Sequence, residues 1–579
     1  MEMNKKDIIR LLEQIAVLLE LKGENSFKIA AYSRAAQNIE RDSRALSEID
    51  DFTKIKGIGK GTSSVIMQYI HDGKSEALEE LKKQVPAGLI PLLQVPGLGG
   101  KKLSRLYQEL NVTDAESLRE ALVSKEVEAL PGFGKKSAEK LLASLQEMGK
   151  RPERLPIAVV LPIVEKLNQH LETIPEIRAF SIAGSVRRMR ETVKDIDFII
   201  ATEQPDIVGN KLLDIENVKE VIAKGQTKVS VILAEQYDIN VDFRMVKENE
   251  FATTLHHFTG SSEHNVHMRQ LAKSHDEKIS EYGVENVASQ EILQFTDEEQ
   301  FYAHFNLRYI PPELREDSGE IEAFAERKIA EGLLHLSHIK GDLHMHTTWS
   351  DGAQSLEEMA EAARRKGYEY IAITDHSKFL RVANGLDETR LRKQKEEINR
   401  LNERYADLHI FSGVEMDILP DGSLDFSDKF LREMDFVIAA IHSSFSQSQE
   451  QIMTRLKNAM NNPYVSLIAH PTGRLIGKRD GYAIDMEELI ATAAETNTAL
   501  EINANPNRLD LSAAWAKKAQ EKGVVLSIDT DAHNYSMLED MKYGVATARK
   551  GWISKNTVMN TWTAEKIKSF CNHKRMIEK

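Results

Sequence analysis

Cysteine and long apolar runs are scarce in this chain of 579 residues. A single cysteine, Cys571, excludes an internal disulfide and is typical of a protein of the reducing cytosol. No run is long and apolar enough to span a bilayer, and the N-terminal residues form an amphipathic pattern without the apolar core of a signal peptide. We therefore expect a cytoplasmic protein with no membrane partner.

An excess of basic charge is also lacking, since the formal net charge is −14. This balance argues against a protein that coats nucleic acid by bulk charge, although local basic patches can still bind it. Hydrophobic residues make up 41% of the chain and charged residues 29%, as in ordinary soluble proteins. The length exceeds what one hydrophobic core supports, so three or more domains are expected.

A small-residue turn and an acidic strand lie close together in residues 183–201. Gly184 and Ser185 precede Arg188, and Asp195 and Asp197 lead into an apolar run that predicts a strand. Alternate strand residues point to one face, so the two carboxylates repel each other unless a cation lies between them. Oxygen ligands suit Mg²⁺ or Mn²⁺, while a turn and an arginine can bind phosphate. The segment predicts a site for metal and polyphosphate.

A third acid, Asp242, stands in the alternating segment 237–246, which predicts a strand beside the first. Three carboxylates on adjacent strands can hold two metal ions about 3.5–4 Å apart, the geometry for in-line displacement at phosphorus. Either acidic motif alone is more often a solvated strand end. The order and spacing of all three acids favour the metal site.

Together these motifs resemble the palm of the family X DNA polymerases, the DNA polymerase beta group, over roughly the first 315 residues. The resemblance implies that Asp195, Asp197 and Asp242 hold two Mg²⁺ or Mn²⁺ ions and that Asp242 helps to activate the primer 3′-hydroxyl. It also implies dNTPs as substrates. The residues matching the family's nucleotide contacts are Gly184, Ser185, Arg188, His257, Phe258, Gly260, Asn265 and Arg269.

An apolar-Gly-apolar-Gly turn followed by lysine and a helix occurs three times, as in helix-hairpin-helix modules. Glycines let the backbone approach a phosphate, and helix N-termini supply N–H donors, so such modules bind the DNA backbone without reading sequence. One copy alone is more often a glycine-capped helix turn, whereas three copies favour DNA binding. The predicted contacts are Gly57, Gly59 and Lys60, then Gly97, Gly99 and Lys101, then Gly132, Gly134 and Lys135.

The resemblance further implies that the first of these domains binds the downstream 5′-phosphate of a gap. Lys28 and Tyr32 match the family positions for this contact. The family's Schiff-base lysine matches Val65, so the resemblance does not extend to a dRP-lyase activity by that route. The expected partners are gapped or primed DNA with a 5′-phosphate, bound by a monomer in the nucleoid.

From residue 340 onward, short apolar runs alternate with helical segments, which predicts parallel β/α units closing as a barrel. Chemistry in such barrels gathers at the C-terminal strand ends. A lone strand-end histidine is usually a core or surface residue, but recurrence at corresponding places favours a metal centre for Zn²⁺, Mn²⁺ or Fe²⁺. The residues at these ends are His344, His346, Asp351, His376, Glu415, His442, His470, Asp531 and His533.

The segments 341–347 and 374–376 resemble a PHP (polymerase and histidinol phosphatase) domain. This resemblance implies a distorted seven-unit barrel that holds up to three Mn²⁺ or Zn²⁺ ions at those nine residues. A polymerase fused to such a domain implies short-gap filling in DNA repair together with 3′→5′ exonuclease activity, and AP endonuclease or 3′-end processing as further activities. The alternative is a phosphatase or pyrophosphatase for small phosphoesters tethered to a polymerase. Clustered charges argue against a non-catalytic scaffold.

The expected fold class is multidomain: all-α helix-hairpin-helix domains, an α+β polymerase beta-like nucleotidyltransferase palm and thumb, and an α/β PHP barrel. The expected boundaries are 1–85 for the N-terminal 8-kDa-like domain, 86–151 for a tandem helix-hairpin-helix domain of the fingers type, 152–248 for the palm, 249–318 for the thumb, 319–338 for a linker and 339–579 for the PHP domain.

Overall fold

The structure, a computed structural model, describes residues 5–41, 49, 51–93, 95, 98–130, 132–147, 153–325 and 332–576. The predicted DNA contact Gly97 lies outside the described residues. The chain divides into two compact units, Met1–Glu153 and Arg154–Lys579. Among the described residues, no helix is both long and apolar enough to cross a membrane.

The described part of the first unit is helical. Its helices are α1 (Lys5–Lys22), α2 (Ser26–Arg41), α3 (Lys60–Asp72), α4 (Glu76–Gln84), α5 (Leu89–Leu92), α6 (Gly100–Leu110), α7 (Ala115–Val123) and α8 (Lys135–Glu147). Each predicted hairpin places its middle apolar residue in the interior, where Ile58, Leu98 and Phe133 are all buried. The two predicted helical domains share one apolar cluster, to which α1 contributes Leu11 and α6 contributes Leu103.

The palm is a mixed sheet whose strands lie in the order Ala179–Ile182, Asp195–Ala201, Asp238–Val246, Lys228–Ala234 and Val218–Lys224. Its alternating segments bury one set of side chains, and helices cover that face. Its elements are β1 (Leu155–Pro156), α9 (Ile157–Glu172), β2 (Ala179–Ile182), α10 (Gly184–Arg187), β3 (Thr192–Val193), β4 (Asp195–Ala201), α11 (Pro205–Lys211), β5 (Val218–Lys224), β6 (Lys228–Ala234) and β7 (Asp238–Val246).

The thumb follows directly and packs helices around a small antiparallel sheet. Its elements are α12 (Phe251–Thr259), α13 (Ser262–Ser274), β8 (Glu277–Ser280), β9 (Gly283–Asn286), β10 (Ile292–Leu293), α14 (Glu298–His304) and α15 (Glu320–Ala325). The sequence predicts a connecting helix over residues 321–334, and α15 covers its start. Residues 326–331 of that prediction lie outside the described residues. The prediction is wrong for residues 332–334, which are not helical, because Leu333 pairs with Ser554 in a β-bridge.

Seven parallel strands in sequential order form the C-terminal barrel, as predicted. The strands are β11 (Gly341–Asp342), β12 (Tyr370–Ile373), β13 (His409–Asp417), β14 (Phe436–Ala440), β15 (Leu467–Ile468), β16 (Ala499–Asn503) and β17 (Leu526–Asp529). The helices around them are α16 (Leu356–Arg365), α17 (Glu388–Arg404), α18 (Asp428–Leu431), α19 (Gln449–Asn461), α20 (Met486–Glu495), α21 (Ala513–Glu521), α22 (Met541–Lys550) and α23 (Ala564–Met576).

The barrel is nearly closed between its first and last strands. A bridge pairs Met345 with Ala532, and the backbone N–H of Leu343 donates to the Asp529 carboxylate at 2.9 Å. Several strands are shorter than predicted: the run 341–347 keeps only Gly341–Asp342 as regular strand. Residue 343 is a bend, and beyond it only Met345 pairs, through its isolated bridge to Ala532.

Palm and barrel share apolar and ionic contacts within the second unit. Ile476 and Leu509 of the barrel are buried in the hydrophobic cluster of the palm, and Tyr543 packs against it. Arg474 also donates two hydrogen bonds to the carboxylate of Glu191, at 2.8 and 3.2 Å. A bidentate pair of this kind fixes orientation as well as distance.

A buried ion pair stabilises the thumb and generates a test. Nη1 of Arg315 donates to Glu298 at 2.6 Å, and Nη2 of Arg187 donates to the same carboxylate at 2.7 Å. Arg315 is fully buried. Burial alone would raise the pKa of Glu298, but the two guanidinium groups outweigh it and lower this pKa.

Glu298→Ala should lower the free energy of unfolding by about 3–5 kcal/mol, because it leaves Arg315 as an uncompensated buried charge. Chemical denaturation followed by fluorescence measures the change. Glu299→Ala is the matched control, since Glu299 lies next to it on α14 but is exposed, and it should change stability by no more than about 0.5 kcal/mol. Equal effects of the two substitutions would contradict the account.

Candidate active sites and metal centres

The palm brings its three predicted acids together through strand pairing. Strands β4 and β7 run parallel, with Asp197 opposite Asp242 and Asp195 opposite Asn240. Residues two apart on one strand share a face, so all three carboxylates lie on the same side of the sheet. Each is half-buried.

The electrostatics of this cluster fit a bound cation. Burial, and then the charges of Asp195 and Asp242, raise the pKa of Asp197 to about 7. Nζ of Lys228 lies 2.8 Å from the Asp242 carboxylate and offsets only part of this negative charge. The charge of Arg244 also lowers the pKa of Asp197, but burial and the two neighbouring acids outweigh both cations. The cluster therefore has a place for a divalent ion.

The turn before β4 accepts only glycine at one position. Gly184 has φ +59°, in the left-handed region, and a Cβ there would collide with Oδ2 of Asp197. The close approach of this backbone to the acid therefore explains the glycine. Ser185 follows in the first turn of α10 and is half-buried.

Arg188 is held by the thumb rather than by the palm acids. Its Nε donates to Glu316 at 3.1 Å, and its Nη1 donates to the carbonyl oxygen of Thr259 at 2.6 Å. The sequence predicts that Arg188 contacts the phosphates of a nucleotide. Its Nη2 donates no hydrogen bond to the described residues, so this part of the guanidinium can reach a phosphate while Nε keeps Glu316.

The predicted nucleotide-selection residues of the thumb gather at the end of α12. Nδ2 of Asn265 donates to the carbonyl oxygen of His257 at 2.6 Å, and Gly260 leaves room for the Asn265 side chain. Phe258 stacks beneath the Arg244 guanidinium, 4.2 Å from the ring centre. Oδ1 of Asn265 is buried and has no hydrogen-bond partner among the described residues. The remaining predicted contact, Arg269, is exposed on α13.

The helical unit presents the predicted backbone-binding turns at its surface. Gly57 and Gly132 have φ of +87° and +88°, which glycine adopts readily. No described atom lies within 4 Å of a Cβ built at the predicted contacts Gly59, Gly99 and Gly134. The lysines that follow are exposed in the first turns of their helices: Lys60, Lys101 and Lys135.

The predicted 5′-phosphate contacts occupy α2. Lys28 is exposed, with its Nζ 3.6 Å from the Glu24 carboxylate, whereas Tyr32 is half-buried and burial raises its pKa. Val65 packs against the hydrophobic core of the unit. The position that the family uses for Schiff-base chemistry is therefore apolar and packed here.

The barrel mouth gathers eight of the nine predicted metal-type residues into three overlapping clusters. In each cluster the donor atoms lie within 4.8 Å of one another. The clusters are His346, Asp351, His376 and His533; His344, His346 and Asp531; and His376, Glu415 and His442. The ninth residue, His470, is adjacent to them, with Nε2 2.9 Å from Oε1 of Glu415.

An unsatisfied buried atom indicates that these residues fit metal ions. Among the described residues, Nδ1 of His346 is buried without a hydrogen-bond partner, and the nearest carboxylate oxygen, on Asp351, is 4.0 Å away. Leaving such an atom unpaired is costly unless a ligand satisfies it. Nδ1 of His376 lies 2.9 Å from Oε2 of Glu415. His470 and Asp531 also adopt φ of +28° and +53°, backbone strain of the kind that occurs at functional sites.

The charges in the cluster are strongly coupled. Burial lowers the pKa of His344, but the carboxylates of Asp531 and Glu415 outweigh it and raise that pKa well above its usual value. Burial and the neighbouring His376 lower the pKa of His346 to about 3. One imidazole thus carries a proton between carboxylates and another stays neutral, and a divalent ion can replace the protonic charge.

Two residues that the sequence reasoning missed position the predicted ligands. Glu501 on β16 accepts from Nδ1 of His344 at 2.7 Å, and Asp417 lies 3.2 Å from Nδ1 of His442. A carboxylate on one ring nitrogen orients the other toward a metal. The sequence held a signal for each of them. Glu501 lies on a predicted strand that carries none of the nine predicted metal ligands, and Asp417 is an acid two residues after Glu415.

Comparisons with known proteins agree with the division of the chain into helical, polymerase and barrel parts. The DNA polymerase beta thumb family matches residues 254–316, and the PHP domain family matches residues 342–505. A helix-hairpin-helix domain matches residues 3–75, and a SAM-like helix-hairpin-helix tandem matches residues 89–147. These matches confirm the predicted fold class.

A protein of Bacillus subtilis (strain 168), named DNA polymerase/3′-5′ exonuclease PolX, is 57% identical over 568 residues, which cover 98% of this chain and 99% of that protein. A probable phosphatase of Thermoanaerobacter sp. (strain X514) is 29% identical over 245 residues, covering 40% of this chain and 95% of its own. A probable phosphatase of Clostridium acetobutylicum is 28% identical over 202 residues, 33% of this chain and 78% of its own. With its thumb, hairpin and PHP segments in place and a relative matched from end to end, the chain belongs to the family X DNA polymerases that carry a C-terminal PHP domain.

Proposed function

We propose that this protein is a DNA-directed DNA polymerase that fills short gaps during DNA repair and trims 3′ ends with the 3′→5′ exonuclease of its PHP barrel. The parallel register that sets Asp197 opposite Asp242 carries the polymerase half of the proposal. The three overlapping clusters at the barrel mouth carry the nuclease half. AP endonuclease and 3′-end processing are further activities compatible with a phosphodiester-cleaving site.

In the palm, Asp195, Asp197 and Asp242 would hold two Mg²⁺ or Mn²⁺ ions. Bound ions of this kind stabilise charge on the attacking and leaving oxygens of a phosphoryl transfer. Asp242 would also accept the proton of the primer 3′-hydroxyl. Gly184 and Ser185 would seat the β,γ-phosphates of a dNTP, with Arg188 joining them through its Nη2.

The end of α12 would select the nucleotide. His257 and Phe258 would lie under the sugar, with Gly260 providing the turn. Asn265 has a buried acceptor atom without a partner among the described residues, which a base or sugar donor would satisfy. Arg269 is exposed on the same helix and would reach the template minor groove.

In the barrel, the nine residues at the strand ends would hold up to three Mn²⁺ or Zn²⁺ ions. Mixed imidazole and carboxylate donors favour these metals over Mg²⁺. Glu501 and Asp417 would fix the imidazole tautomers. The hairpin turns would bind the backbone of gapped DNA, with Lys28 and Tyr32 near its 5′-phosphate, and a monomer would suffice for both activities.

A second function is favoured by one finding, the similarity of the barrel to probable phosphatases over most of their own length. In that case the barrel would hydrolyse small phosphoesters, and primer ends would stay intact. Release of phosphate from a free phosphomonoester without any shortening of a primer would favour this alternative.

Asp242→Ala should reduce nucleotide addition by about a thousandfold, since it removes several kcal/mol of metal-based charge stabilisation, while primer degradation stays intact. His344→Ala combined with His346→Ala should do the reverse. Primer extension and degradation on a gapped duplex with Mg²⁺ or Mn²⁺ measure both activities.

Each variant has a matched control. Asp238→Ala lies on the same strand as Asp242 but pairs with Lys219, and His409→Ala lies at the far end of a barrel strand. Both controls should retain both activities. Loss of both activities from Asp242→Ala alone would rule out two independent sites.

The raised pKa of Asp197 predicts a pH dependence of metal binding. Below pH of about 7 this carboxyl is protonated in the metal-free protein, and a cation must displace the proton. Affinity for Mn²⁺ at the palm should therefore be about tenfold weaker at pH 6 than at pH 8. Calorimetry on a variant lacking His344, His346 and His376 isolates the palm site, because each of the three barrel clusters then loses at least one donor. Equal affinities at the two pH values would contradict the assignment, and Asp197→Asn should remove the difference.

A further inference from the structure

A loop at the barrel mouth, residues 377–386, exposes apolar and basic side chains beside the metal-type clusters. It directly follows His376, a member of two clusters. Val382 is 94% exposed and Phe379 is 39% exposed. The guanidinium of Arg381 is exposed, with no hydrogen bond or ion pair to any residue in the described part of the chain. Single exposed apolar residues are common on protein surfaces, so the place and rigidity of the loop carry the argument.

The loop is tied at its base to the strand ends that hold the clusters. The backbone N–H of Leu386 donates to the carbonyl oxygen of His376 at 2.8 Å, which closes the loop on itself. The N–H of Phe379 donates to the Asp425 carboxylate at 2.8 Å. A Cβ on Gly385 would collide with the backbone of residue 377, so the closure also needs glycine at this position.

The other side of the loop is fixed to the segment that carries Asp351. Nδ2 of Asn384 donates to the carbonyl oxygen of Trp349 at 3.2 Å, and Nη1 of Arg390 donates to the carbonyl oxygen of Asn384 at 2.8 Å. Asn384 adopts φ +55°, a left-handed conformation that asparagine tolerates. The loop therefore lies between two ligand-bearing segments and presents its tip in a fixed conformation.

Chain length limits how far this tip can be from the clusters. Val382 is four residues from Leu386, so their Cα atoms are at most about 14 Å apart. Leu386 is itself hydrogen-bonded to the backbone of His376, a cluster member, and Val382 is six residues from His376, so the Cα atoms of these two residues are at most about 22 Å apart. A DNA strand bound at the clusters covers this distance with a few nucleotides. Nucleobases stack on aromatic and apolar side chains, and an arginine pairs with phosphate.

We propose that residues 377–386 form a strand-end loop, which holds the nucleotides at the 3′ end that the barrel degrades. Val382 and Phe379 pack against a nucleobase, and Arg381 pairs with a phosphate of the same strand. The inference rests on the proposed exonuclease activity and adds the residues that hold its DNA substrate.

The test uses the full-length protein with Val382→Ser and Phe379→Ser combined. KM for degradation of a single-stranded oligonucleotide should rise about tenfold, the loss expected when a base loses its stacking surface. The value of kcat should stay within about twofold, and Mn²⁺ affinity measured by calorimetry should not change. Val382→Ile should keep KM near that of the wild type, because it retains an apolar tip.

Leu336→Ser is the matched control. Leu336 is 48% exposed but lies before β11, at the end of the barrel opposite the clusters. It should leave KM, kcat and Mn²⁺ affinity unchanged. An unchanged KM in the double variant, a loss of Mn²⁺ affinity there, or an equal KM rise in the control would overturn the strand-end loop while the exonuclease stands. A wild-type protein that does not shorten DNA would overturn both.

Discussion

The repulsion among three carboxylates on paired strands is the constraint on which the palm depends. Parallel pairing of β4 and β7 fixes Asp197 opposite Asp242, and Asp195 lies two residues earlier on the same face. In the absence of a cation, burial and the charges of Asp195 and Asp242 raise the pKa of Asp197 to about 7. The surrounding features follow from this crowding: a glycine where the turn meets the acid, and a lysine beside Asp242.

The barrel solves a similar problem with different donors. Histidines and carboxylates mix around its mouth, so protonated imidazoles can offset the charge of the acids, as Lys228 and Arg244 do in part in the palm. The backbone is strained at His470 and Asp531, and Nδ1 of His346 is buried without a hydrogen-bond partner among the described residues. Both sites therefore concentrate charge that a metal ion relieves. Their shared unit, joined by the Arg474–Glu191 pair, keeps palm and barrel in one folded body.

Much of this organisation was readable from the sequence, because the relevant signals are local. The acidic strand at residues 195–201, the alternation in 237–246 and the seven apolar runs each predict their own element. The register between β4 and β7 joins residues more than forty positions apart, so the sequence does not predict it. The sequence predicts only that the three acids share a metal site. Strand lengths in the barrel were overestimated because the backbone leaves the ladder near the ligands, as at β11.

Side-chain partners were the least predictable part of the site. Glu501 was missed because a glutamate on a buried strand resembles any other polar residue until its contact with His344 is seen. The phosphate contact of Arg188 stays a prediction, and its bond to Glu316 was not predictable because that residue lies 128 positions later. The exposure of Val382 could not be predicted either, because valine is most often buried and only the folded loop shows that this one is not.

The most direct test of the central claim is anomalous diffraction from crystals grown with Mn²⁺. The account predicts two manganese peaks within coordinating distance, about 2.2 Å, of oxygens from Asp195, Asp197 and Asp242. Manganese bound at the barrel mouth in the same crystal serves as the internal reference for loading. Peaks at the barrel with none at the three palm acids would contradict it.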